Sequence, residues 1–141
     1  MAGYETSIYQ GILGRVPMFA SCAPEQLDEI AQLGEADAHV DGDVIIREGD
    51  VAECFYVISS GHAVVSRDGE RVATLGAGDY FGELALFDPS PRSSTVTAEG
   101  ATTVIALHRD QFRQALDDVP AIRDALLHGM AHRLHQLDAR A

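Results

Sequence analysis

The chain has no lysine and no tryptophan, and only two cysteines among its 141 residues. Its 10 basic residues are all arginine and stand against 22 acidic ones, a formal net charge of -12. A protein that grips a phosphate backbone needs a basic stripe or tail. This sequence has neither, so nucleic-acid binding by this chain alone is not expected. The same charge favours solubility through self-repulsion. No apolar run approaches the roughly 18 residues of a helical membrane span. The first residues, Met1 to Gly14, lack the basic start and apolar middle of a secretion signal. Cys22 and Cys54 form no CxxC pair and no disulfide framework, which points to a reducing compartment, the cytoplasm. Cys54 lies in the apolar run Cys54-Phe55-Tyr56-Val57-Ile58 and reads as a buried structural thiol.

Catalytic chemistry is equally scarce. There is no G-x-S-x-G elbow, Ser93 has no histidine near it in sequence, and no His/His/Glu metal set falls on the β-rich runs. His128, His132 and His135 recur at i, i+4 and i+7 on one helical face. With no carboxylate or cysteine recruited beside them, they read as a solvated polar face, and no metal is expected. His62 and His108 fall near strand ends without a visible partner.

What is present divides into three stretches within one domain: a helical segment over 4–34, a β-rich segment over 36–108 and helices over 109–141. In the first, Ile8, Ile12 and Leu13 share a face before Gly14, and Pro24 opens a short helix carrying Leu27, Ile30 and Ala31 up to Gly34. Val16, Met18 and Phe19 between them form an apolar plug. In the second, glycine and aspartate turns separate short strands predicted at Val44–Ile46, Cys54–Ile58, Ala63–Val65, Val72–Leu75, Thr95–Ala98 and Thr103–Leu107. Asp68-Gly69 is the strongest hairpin signal. No helix-length segment lies between successive strands, which excludes an α/β fold. The reading is mainly β with flanking α: an antiparallel, jelly-roll-like β-roll with N-terminal helices and a C-terminal helix pair. In the third stretch, Phe112 marks a short helix ending before Pro120. Pro120 opens a longer one with an apolar stripe of Ile122, Leu126, Leu127, Met130, Leu134 and Leu137. Four of these repeat at spacings of three and four, a seam for a homodimer or for an effector protein.

One segment breaks the strand-turn rhythm, Tyr80 to Ser94. Gly82 permits a tight turn, Glu83 to Phe87 make about one helical turn, and Asp88-Pro89 ends it. Unpaired N–H groups at a helix start suit an anion, and Arg92 brings a guanidinium fork that grips phosphate. Ser93 and Ser94 add hydroxyl donors. Glu83, an acceptor when ionised, suits a sugar hydroxyl. A ligand with a phosphate and a ribose satisfies the set.

The segment resembles the phosphate-binding cassette of cyclic nucleotide-binding domains, through Phe81-Gly82-Glu83-Leu84-Ala85-Leu86 and Pro91-Arg92-Ser93-Ser94. Glu48-Gly49-Asp50, Phe55-Tyr56-Val57-Ile58 with Ser60-Gly61, and Leu75-Gly76-Ala77-Gly78-Asp79 match further landmarks in order, so the likeness runs from about Val16 to Leu137. The resemblance implies that Arg92 pairs with the cyclic phosphate and Ser93 hydrogen-bonds it. The N–H groups of Leu84 and Ala85 complete the cradle, Gly82 allows close approach, and Glu83 accepts from the ribose 2′-OH. The base then faces the C-terminal helix. Serine rather than threonine after the cassette arginine points to cAMP, with cGMP as the alternative. The C-terminal helix resembles that of the bacterial catabolite activators, with Arg133 matching an arginine that lines the pocket. The adenine-contacting positions of those proteins fall at Leu137 and Asp138, a departure in which Leu137 packs on the base and Asp138 accepts from its amino group. With no lysine in the chain, Arg92 carries the phosphate nearly alone. The implied function is a non-catalytic cyclic nucleotide sensor that relays binding through its C-terminal helix. Two alternatives stay open: the sensory half of a transcription activator lacking its helix-turn-helix, and a ligand-free β-roll scaffold for protein interaction.

Overall fold

The computed structural model describes residues 10–16, 19–86 and 88–137, without the side chains of Glu83, Leu84, Met130 and residues 132–137. The expectations placed on Ile8, Met18, Phe87 and Asp138, and on the side chains of His132, Arg133, Leu134, His135 and Leu137, lie outside the described residues. The chain divides into two compact units, Gly34–Asp110 and the pair of flanking segments Met1–Leu33 and Gln111–Ala141.

The first unit is an antiparallel sheet of β1 (Glu35–His39), β2 (Val44–Ile46), β3 (Cys54–Arg67), β4 (Glu70–Gly76), β5 (Tyr80–Phe81) and β6 (Thr95–His108). The order is β1-β6-β3-β4, with β2 added to β6 and β5 added to β3. Mainly antiparallel β with flanking helices is the predicted class. The strands themselves need two corrections. Sequence patterning splits 54–67 and 95–108 into two strands each, and the structure joins each pair into one 14-residue strand. They pair along their whole length, from Cys54 opposite His108 to Ser66 opposite Thr95, with register shifts between Ile58 and His62. Ser60-Gly61 is therefore a bulge, not a turn: it bends the ribbon, and the pairing resumes beyond it. The Ser59 hydroxyl donates to the Thr103 carbonyl (3.2 Å), and the Thr102 hydroxyl lies 2.8 Å from the His62 carbonyl, which ties the bend together.

β1 escapes sequence patterning because its only apolar residues, Ala36 and Ala38, are small and alternate with Glu35, Asp37 and His39 on a mostly exposed strand. It is a strand by virtue of its backbone pairing to β6, Glu35 opposite Ala106 through His39 opposite Thr102. The Asp68-Gly69 hairpin forms as expected, with φ of 53° and 81° at the two turn residues, the positive pair that a two-residue hairpin of matching twist requires. Inside the sheet Ile58, Ala63, Phe81, Val96 and Val104 form a buried cluster, with Ile45, Ile46, Tyr56, Val65 and Leu75 packed against it.

The second unit holds α1 (Pro24–Ala31), α2 (Arg109–Asp118, from its third residue on) and α3 (Pro120–Leu137), with a helical turn at 10–13. Pro24 takes the first helical position of α1 and the Gln26 side chain accepts the Ala23 N–H at 2.7 Å, so the start is capped from within. Leu27, Ile30 and Ala31 are buried, as the spacing predicts. Val16 and Phe19 are buried as the expected plug, and Phe19 meets Phe112 edge-to-face with centroids 6.1 Å apart. The Arg123 guanidinium donates to the Leu116 carbonyl (3.3 Å) and to Asp117 (3.0 Å), closing the C-terminus of α2. The apolar stripe of α3 divides: Ile122 and Leu126, one turn apart, are buried, whereas Leu127 is 59% exposed.

Candidate functional site

The segment picked out by sequence is held by β3 on one side and by the loop over 47–52 on the other. β5 carries Phe81 opposite Tyr56 of β3. The backbone then turns at Gly82, with φ of 79°, into a single 3₁₀ turn, Glu83–Leu86, whose Ala85 and Leu86 are buried. The Ala85 N–H donates to the Gly82 carbonyl at 3.1 Å, so it is engaged inside the turn.

The exit of the segment is clamped by backbone. Pro91 bridges Val51, the Arg92 N–H donates to the Asp50 carbonyl (2.7 Å), and the Gly49 N–H donates to the Arg92 carbonyl (2.8 Å). These bonds fix where the Arg92 side chain starts. Its Nη2 then donates to the Cys54 carbonyl at 2.6 Å, and its Cζ lies 5.8 Å from the centre of the Tyr56 ring. A Cβ added at Gly82 would run into Arg92 Nη1 and come within 3.2 Å of the Cys54 carbonyl. Glycine is needed there both for its positive φ and for the space the guanidinium occupies. The two ends of the segment, ten positions apart in sequence, are thus brought side by side.

Arg92 is half-buried, and burial is the chief cause holding its pKa below the usual arginine value. The ion pairs among the described residues use Arg71, Arg109 and Arg123, and none reaches Arg92. A partly desolvated cation is costly to hold unpaired, and among the described residues Arg92 has no carboxylate at ion-pair distance, which is the electrostatic condition for accepting an anion. A cavity of about 150 Å³ opens beside it, lined by apolar Ile45 and Ile46, by Cys54 and Tyr56, and by the charged residues Arg47, Asp50 and Glu53.

Of the predicted residues, the structure brings Gly82 and Arg92 together and places Ala85 in the turn beside them. Ser93 is exposed, next to Arg92 in sequence. Ser94 is buried, and its hydroxyl accepts from Arg67 Nη2 at 3.2 Å. Glu83 and Leu84 are placed by backbone alone, and Arg133 by its position in α3. Cys54 corrects an expectation: it is half-buried and borders the cavity, and burial pushes its thiol pKa up.

Sequence reading missed Arg47, which shares the cavity with Arg92, and Arg67. Arg67 Nε donates to the Ser93 carbonyl at 3.2 Å. In the same region Glu48 accepts the Asp68 N–H (3.1 Å), and the Glu48 N–H reaches the Thr95 hydroxyl (3.0 Å). The β3–β4 hairpin and the cassette exit are therefore laced together by polar contacts. The Asp68-Gly69 signal finds the hairpin, but nothing local to Arg67 announces a partner 26 residues away.

A model of the cyclic nucleotide-binding domain matches residues 39–119. The chain belongs to the cyclic nucleotide-binding domain family. It is 37% identical over 115 residues to the cAMP-dependent protein kinase regulatory subunit of Yarrowia lipolytica, covering 80% of this chain and 31% of that protein. It is 40% identical over 114 residues to the corresponding subunit of Blastocladiella emersonii, covering 77% and 28%. The chain thus spans about a third of the length of these relatives. Among solved structures, the N-terminal domain of a transcriptional regulator from Streptomyces coelicolor A3(2) superposes with a TM-score of 0.85 at 31% identity, covering 91% of this chain and 95% of that one. The regulatory domain of Toxoplasma gondii PKA, solved with cAMP, superposes with a TM-score of 0.71 at 27% identity, covering 92% and 51%.

Proposed function

We propose that the chain is a single non-catalytic sensor domain that binds cAMP at the segment 81–94, with cGMP as the weaker ligand, and that signals through its C-terminal helix. The observation that carries this reading is Arg92, a half-buried guanidinium set against Gly82 with no carboxylate at ion-pair distance among the described residues. In the proposal Arg92 meets the cyclic phosphate, Ser93 adds a hydrogen bond, and Glu83 accepts from the ribose 2′-OH. Isothermal titration with cAMP and cGMP tests it. Binding of cAMP is expected, and no heat with either nucleotide at millimolar concentration would sink the reading. With 2′-deoxy-cAMP the lost hydrogen bond to an ionised carboxylate should weaken binding roughly ten- to a hundred-fold. Equal affinity for the two ligands would remove Glu83 from the ribose.

The two free thiols, Cys22 and Cys54, support a reducing, cytoplasmic setting for this sensor. Exposed Leu127 supports self-association through α3. Light scattering after gel filtration should then return a dimer that Leu127→Glu converts to monomer. A wild-type monomer at high protein concentration would leave an effector protein as the occupant of that face.

A second reading, the sensory part of a transcription regulator, is favoured by the likeness to the Streptomyces coelicolor domain. Sequencing the reading frame beyond Ala141 separates the two, since a DNA-reading helix pair directly downstream would select the second.

A further inference from the structure

Tyr56 lies in the Phe55–Ile58 run that the resemblance matched without giving it a role, and both ends of the segment 81–94 touch it. On β3 it faces Phe81, the residue before Gly82, and the two rings stack with centroids 5.1 Å apart and planes inclined by 20°. The same ring lies 5.8 Å from the Arg92 Cζ, within the range in which a guanidinium is attracted by an aromatic quadrupole. Two residues earlier on the same strand, the Cys54 carbonyl accepts from Arg92 Nη2 at 2.6 Å. β3 therefore holds the guanidinium at two points, one on its edge and one toward the aromatic ring.

Among the described residues the two contacts engage only part of the guanidinium. It has five N–H donors, and the carbonyl engages one nitrogen. The aromatic contact is an attraction to the ring and consumes no N–H. A carboxylate in place of the ring would hold the arginine more firmly but would also compete with an incoming anion. Tyr56 stays neutral at physiological pH, its phenol pushed up to about 12 by burial, so it brings no competing negative charge.

We infer that Tyr56 is the positioning residue for Arg92, its ring orienting the guanidinium so that the free N–H edge is presented to the cyclic phosphate. The inference deepens the cAMP-binding reading and rests on it for the identity of the anion. It does not rest on it for the contact between Tyr56 and Arg92.

The test has two readouts, one of which needs no ligand. In the ligand-free protein, the Arg92 Nε–Hε resonance in a nitrogen–proton correlation spectrum reports the ring above or beside it. Tyr56→Phe should leave that resonance near its wild-type position, and Tyr56→Leu should move it toward the exposed arginines. In cAMP titrations Tyr56→Phe should bind within about twofold of wild type, whereas Tyr56→Leu should bind roughly three- to thirty-fold more weakly, the span expected for a cation–π contact between exposed and desolvated limits. Pentafluorophenylalanine placed at position 56 keeps the ring's shape and reverses its quadrupole, so it separates orientation from packing and covers the case in which Tyr56→Leu fails to fold. It should weaken binding as Tyr56→Leu does. An unmoved Arg92 resonance in both the leucine and the fluorinated protein would overturn the inference, as would wild-type affinity in both. If the wild-type protein binds no cyclic nucleotide, the sensor reading falls, and the resonance still decides whether Tyr56 holds Arg92.

Discussion

Arg92→Ala should lower cAMP affinity by roughly thirty- to several-thousand-fold, about 2–5 kcal/mol, the usual loss when one partner of a desolvated charge pair is truncated. The magnitude follows from where the side chain sits. Its backbone is clamped by the Asp50 carbonyl and the Gly49 N–H, and its Nη2 is tied to the Cys54 carbonyl, so the guanidinium arrives with little orientation left to lose. The rest of the chain works against an anionic ligand, since a net charge of -12 repels it at long range. That repulsion is screened beyond about 8 Å at physiological ionic strength, and the local cation decides the contact. Arg92→Lys keeps the charge and loses the planar fork, so its affinity should fall between those of the wild type and Arg92→Ala. Calorimetry with cAMP, alongside thermal melts to confirm an intact fold, reads the effect. An Arg92→Ala protein that binds within threefold of wild type would move the phosphate elsewhere, with Arg47, on the same cavity, the next residue to truncate.

Gly61→Ala should be the most damaging substitution to the sheet while touching no ligand contact. Gly61 has a φ of 88°, and a Cβ there would collide with the Ala101 carbonyl and lie 2.7 Å from both Cα and Oγ1 of Thr102. The obstacles include backbone of β6, so relief requires β3 and β6 to part where the two long strands bend together. Left-handed strain for an alanine costs about 1–2 kcal/mol, and overpacking that must move backbone adds about 1–3. The expected loss is about 2–5 kcal/mol, seen in chemical denaturation as a lower midpoint at unchanged slope and in thermal melts as a drop on the order of 10 °C. A loss below about 1 kcal/mol would mean that the bulge relaxes freely and that this close approach is not a structural requirement.

The two substitutions show where local chemistry can be read and where it cannot. Asp68-Gly69 is visible from sequence because a two-residue turn with positive φ at both positions is set by those residues themselves. Pro24 at the start of α1, and the apolar positions Leu27 and Ile30 behind it, are legible for the same reason. Ser60-Gly61 carries equally strong turn chemistry, yet the chain goes straight on. A glycine with positive φ serves a turn or a bulge alike, and only the pairing of β3 with β6 selects the bulge. β1 offers only two alternating alanines as an apolar pattern, and its extended form comes from hydrogen bonds to residues about 65 to 70 positions away. The binding segment was readable in its chemistry, glycine, acid, arginine and serine at fixed spacing. Its support was not: Tyr56 stands in a run that matches the family without a role of its own, and Arg67 reads as a hairpin flank.

From the sequence alone came the class of fold and the one segment with phosphate chemistry. Each rests on residue type and short-range spacing, which act within a turn or a strand. Tertiary structure alone decided that Gly82 and Arg92 lie side by side, that the guanidinium rests between the Cys54 carbonyl and the Tyr56 ring, and that Arg47 shares its cavity. These depend on the register between strands, and register is set by the summed packing of a whole face rather than by any residue in the site. The absence of lysine looked like a burden on a single arginine. The folded chain relieves it by fixing that arginine in place from its backbone, a carbonyl and an aromatic ring.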